Sequence, residues 1–77
     1  KNYKESVKSF DMVLKLDPNN IEAWNYKGFS LYLLKNYKEA IPCFDKALEL
    51  DPDYEDARNN RLVTLMAISE EKVKSEK

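Results

Sequence analysis

The sequence predicts an all-α chain of about four helices joined as antiparallel helix-turn-helix repeats, and three observations carry that prediction. The first is an internal copy. KNYKESVKSFDMVLKLDP at residues 1–18 returns as KNYKEAIPCFDKALELDP at residues 35–52, 34 positions later. The second is apolar spacing: Tyr3, Val7, Phe10 and Leu14 are separated by four, three and four, the stripe of one helix face. Tyr37, Ile41, Phe44 and Leu48 repeat that stripe in the later copy. The third is composition, since one Gly, three Pro and few β-branched runs in 77 residues leave little to interrupt helices or build strands.

Taken in order, the first helix is expected over about 2–16 and ends at Asp17-Pro18. A proline pushes the residue before it out of the α region, so the helix stops there. Asn19, three residues before Glu22, reads as the N-cap of a second helix over about 20–34, with the acidic side chain near the positive end of the helix dipole. The third helix, about 37–50, ends at Asp51-Pro52. It contains Pro42, which removes one backbone hydrogen bond and is expected to bend it modestly. Asp53, three before Asp56, repeats the capping signal for a fourth helix over about 54–71. Connections of a few residues make neighbouring helices antiparallel. From Ser69 the run SEEKVKSEK carries both charge signs, so 72–77 is expected as a solvated polar tail.

Composition excludes several function classes. A net charge of −1 with interspersed signs lacks the basic face that nucleic acid requires. The apolar stretch Leu31–Leu34 is far too short to span a bilayer, and no signal peptide is visible. The lone Cys43 has no intrachain partner, which favours a reducing, cytoplasmic setting. With no histidine, no Gly-rich phosphate loop and no cysteine pair, no metal, cofactor or catalytic residue is expected. The carboxylates read as caps and solvated faces, and Cys43, with no His to activate it, as a small filler.

The period and its fixed offsets resemble the tetratricopeptide repeat family. The complete copy starts at Ile21 and carries Trp24, Gly28, Ala40, Phe44, Ala47 and Pro52 at that family's places. Lys27 stands where Leu is usual, and Leu31 where Tyr is usual, with Tyr32 beside it. Physically, Gly28 and Ala40 are small residues on the two helices of a pair. They are expected to let the backbones approach while Trp24 and Phe44 fill the wider ends. A mid-helix Gly costs roughly 1 kcal/mol relative to Ala, which implies a packing reason for it. The expected organisation is then the second helix of a cut repeat at 1–18, a complete repeat at 19–53 and a capping helix at 54–71. Leu62, 34 residues after Gly28, would hold off a further helix, and Arg58 and Arg61 are expected to keep the outer side polar.

The resemblance implies an inner, concave face made by the first helix of each repeat, where peptides are received. By position its residues are Glu22, Asn25, Phe29, Tyr32 and Leu33, then Asp56, Asn59, Asn60, Val63 and Met66. Asn25, Phe29 and Tyr32 share one face, apart from the Trp24–Gly28–Leu31 face. A second apolar strip on one helix points either to a binding role or to burial by neighbouring helices. Family members that clamp a C-terminal carboxylate use a Lys and Asn pair. Here Asn25 and Phe29 occupy those places, only Asn60 matches part of the clamp, and Glu22 and Asp56 would repel the carboxylate. The expectation is therefore a module that binds a protein or peptide partner and has no chemistry of its own. Its alternatives are a self-associating scaffold unit, or a regulatory segment of a larger enzyme. Tyr3, Val7, Phe10 and Leu14, left without a preceding helix, are expected to support weak self-association.

Overall fold

The computed structural model describes residues 2–75. It contains four helices, α1 (Tyr3–Leu16), α2 (Ile21–Leu33), α3 (Tyr37–Leu50) and α4 (Glu55–Ser75), and no strand among the described residues. Each helix packs on the next in chain order, and α2 also touches α4. The result is a slab of 44 × 29 × 16 Å.

The two copies of the sequence build the same turn twice. After α1, Asp17 donates its N–H to Val13 at 2.8 Å, and its carbonyl accepts from Asn20 at 3.1 Å. After α3, Asp51 donates to Ala47 at 2.9 Å and accepts from Tyr54 at 3.1 Å. This closed turn moves each restart one residue later than the spacing suggested. Asn20, not Asn19, caps α2, its side chain accepting from Ala23 N–H at 3.0 Å. At α4 the residue before the helix is Tyr54, while Asp53 donates its backbone N–H to the Asp51 side chain at 3.1 Å. α3 continues unbroken through the exposed Pro42.

Leu31, Ala40, Cys43, Phe44, Ala47 and Ala57 form the buried core, with Val7, Ile21, Trp24, Tyr32, Leu48 and Tyr54 packed around it. The nearest atoms to Gly28 there belong to Phe44. A Cβ on Gly28 would lie 2.6 Å from Phe44 Cε1 and 2.9 Å from Cδ1 and Cζ. Phe44 is the large side chain that closes on the glycine, and Ala40 and Ala47 make room for it within α3. Trp24 is pinned from outside, its indole N–H donating to the Pro18 carbonyl at 2.8 Å. Lys27, in the place where Leu is usual, ion-pairs with Asp11 on α1 at 2.7 Å and sits 5.6 Å from the Trp24 ring centre.

Both end helices differ from expectation. On α1, Leu14 is buried and Val7 packs against the core, because both face α2. The apolar side chains that α1 leaves exposed are Met12, Val13 and Leu16. Comparison across 34 positions explains this: Ala40, Cys43, Phe44 and Ala47 are buried, whereas Ser6 and Phe10 are half-buried and Ser9 and Val13 exposed. α4 runs on to Ser75, so residues 72–75 of the expected tail are helical, and 76–77 lie outside the described residues. Its outer side is not the polar cap expected. Leu62, Leu65 and Val73 are exposed there, and Arg61 turns to Asp45 of α3 at 2.6 Å.

Candidate functional site

α2 and α4 are the helices that follow the two copies, and a shallow groove of about 350 Å³ lies between them. Asn25, Tyr26, Phe29, Asp56, Asn59 and Asn60 line it. Its floor is an amide pair: Asn60 Nδ2 donates to Asn25 Oδ1 at 3.0 Å, bridging the two helices. Asn25 is only 3% exposed, and an unpaired amide at that depth would be unfavourable by about 1–3 kcal/mol. Pairing with Asn60 removes that penalty and fixes the distance between α2 and α4.

The walls are aromatic. Phe29 is 41% and Tyr26 49% exposed, and Tyr26 leans on Phe10 of α1 with ring centres 5.7 Å apart. Phe29 in turn stacks on Tyr32 at 6.0 Å, and Tyr32 meets Tyr37 of α3 at 5.5 Å. Glu22 and Asp56, in the first turns of α2 and α4, are exposed. Tyr54, just before α4, reports on this end of the groove. Its phenol is pushed above the ordinary value first by burial, then by the carboxylates of Asp56 and Glu22 and by Tyr26, while a hydrogen bond with Asn25 pulls it back.

The structure thus brings Asn25, Phe29, Asp56, Asn59 and Asn60 of the expected set to one groove. Leu33, Val63 and Met66 are exposed along the same two helices. Tyr32 is different, being half-buried against the core, so it supports Phe29 rather than offering a free ring. Asn25 likewise acts as floor rather than as an open contact. Tyr26 was missed by sequence reasoning. The signal was its place next to Asn25, and the obstacle was that its support, Phe10, comes from a different copy. A larger hollow of about 710 Å³, lined by Lys35, Tyr37, Lys38, Ile68, Glu71 and Lys72, contains none of the expected residues. It lies where the 21-residue α4 outreaches the 14-residue α3.

Cys43 is buried, its thiol donating to the Glu39 carbonyl at 3.6 Å, and burial pushes it up to about 11. A thiol so disfavoured as thiolate is a packing residue. Among the described residues no group of three or more His, Cys, Asp or Glu is placed to hold a metal ion, and no helix is long and apolar enough to cross a membrane.

Helices packed in chain order, with two copies of one turn and one groove-forming helix after each, define a helical-repeat protein. Residues 21–54 match the tetratricopeptide repeat family, and the chain carries a repeat of that type, a kind generally found in protein-interaction modules. Residues 3–34 also match the repeat of the protein prenyltransferase alpha subunit. The two matches share α2: one pairs it with α1, the other with α3, two framings of one ladder of antiparallel helices. No curated protein matches the chain.

Proposed function

We propose that the chain docks an extended peptide or protein segment along the α2–α4 groove and carries no chemistry of its own. The observation behind this is an exposed strip of Tyr26, Phe29, Leu33, Val63 and Met66 beside a fixed amide floor. Helices α1 and α3 leave that strip uncovered, and aromatic rings held rigidly at a groove are the usual anchors of an interface. The buried, unreactive thiol suits the cytoplasmic setting that belongs to the same proposal.

The test is a titration with a mixed peptide library followed by amide chemical shifts. Binding should move Asn25, Phe29, Asn59 and Asn60. Replacing Phe29 and Val63 with Ala should remove about 2 kcal/mol of binding while the chain stays folded, and Lys38→Ala on an outer face should change nothing. Equal binding by both variants would show that the strip is only packing.

Weak self-association is a second reading, favoured by the exposed Met12, Val13 and Leu16 of α1 and the exposed Leu62 and Leu65 of α4. Gly28 shows why such contact would be weak. A ring in the place of Phe44 needs a glycine opposite it, and α4 offers Leu62. Sedimentation equilibrium decides the matter, and a strict monomer near millimolar concentration overturns it.

A further inference from the structure

We infer that the α2–α4 groove seats an arginine side chain of its partner and so selects basic segments over acidic ones. This rests on the docking reading above and names the chemistry of the occupant. The lining contains carboxylate, amide and aromatic groups but no cation. Asp56 lies within it, and Glu22 occupies the equivalent place on α2, 34 positions earlier.

The cations of α2 and of the first half of α4 are directed elsewhere. Lys27 is tied to Asp11 at 2.7 Å and Arg61 to Asp45 at 2.6 Å. Arg58 follows Asp56 by two residues, about 200° round the helix at 3.6 residues per turn. Among the described residues no cation lines the groove, so a positive charge beside Asp56 is left for the partner to supply.

Size and shape narrow the choice. At about 350 Å³ the groove is at the low end of ligand sites, which run to about 1,000 Å³, so it has room for one long side chain. The half-exposed Tyr26 ring, braced by Phe10, offers a surface on which a planar guanidinium stacks while its fork meets a carboxylate. Asn59, exposed beside it, supplies a donor and an acceptor for the backbone of the bound segment. Asn25 and Asn60 are occupied with each other. A glutamate in the same place would meet Asp56 as a like charge.

The experiment uses three fluorescently labelled peptides, acetylated and amidated to remove terminal charge. They are identical except for Arg, Gln or Glu at the centre of a short Ser/Leu sequence. The Arg peptide should bind about tenfold more tightly than the Gln peptide, a difference of about 1.4 kcal/mol, and the Glu peptide most weakly. In the Glu22→Gln, Asp56→Asn double variant, with circular dichroism unchanged, the Arg advantage should disappear while the Gln peptide binds as before. Docking of all three with equal affinity, or a preference for Glu, overturns the arginine assignment and leaves the docking reading intact. Binding of none of the three overturns the docking reading itself.

Discussion

Replacing Gly28 with Ala sets two known effects against each other. An added methyl would meet three Phe44 ring atoms at 2.6, 2.9 and 2.9 Å, well inside van der Waals contact. The ring has no free direction, since Phe44, Ala40 and Ala47 are all 0% exposed. α2 and α3 must therefore separate, and overpacking of this kind typically destabilises by about 1–3 kcal/mol. Opposing it, Ala is favoured over Gly within a helix by about 1 kcal/mol. The expected net loss is about 1 kcal/mol, from a total on the order of 4–11 kcal/mol for a chain of this length. In urea titrations followed by far-UV circular dichroism the midpoint should fall at an unchanged slope. Phe44→Leu in the same chain should remove most of the penalty of the added methyl, a coupling that a double-mutant cycle measures directly. A Gly28→Ala midpoint higher than that of the unmutated chain would refute the close contact and leave only helix propensity.

Two further outcomes are expected elsewhere in the chain. Lys35 is held at φ 66° by a C-terminal turn in which Asn36 N–H donates to Leu31 and Lys35 N–H to Tyr32. Lys35→Gly should therefore stabilise by up to about 1 kcal/mol, since glycine enters that region without a Cβ clash; a lower melting temperature would contradict this. Burial raises the Cys43 thiol from 9.0 to about 11, so its contribution to stability is complete below pH 9 and declines as pH rises toward 11. Iodoacetamide at mildly alkaline pH should label it only through unfolding, and labelling at the rate of a free thiol would show that it is open.

Much of this architecture is local, and the sequence by itself determined it. Asp17-Pro18 and Asp51-Pro52 end helices because proline restricts its own neighbour, whatever the rest of the chain does. The four-three-four spacing of Tyr3, Val7, Phe10 and Leu14 follows from the helical period, and Gly28 stands out because mid-helix glycine is unfavourable without a reason. Tertiary structure decided which residues meet. Spacing places Gly28 and Phe44 on facing surfaces, but only the packed α2–α3 pair shows the ring closing on the glycine while Ala40 fills in beside it. Leu14 and Phe10 share one stripe and both meet α2, yet Leu14 is buried there whereas Phe10 is half-buried and props Tyr26 near the open side. Asn25 belongs to the polar pattern of α2, and it became a buried floor only when α4 brought Asn60 within 3.0 Å. Periodicity reports each helix about its own axis. The partner of each face is set by the distance and rotation between axes, which nothing local encodes.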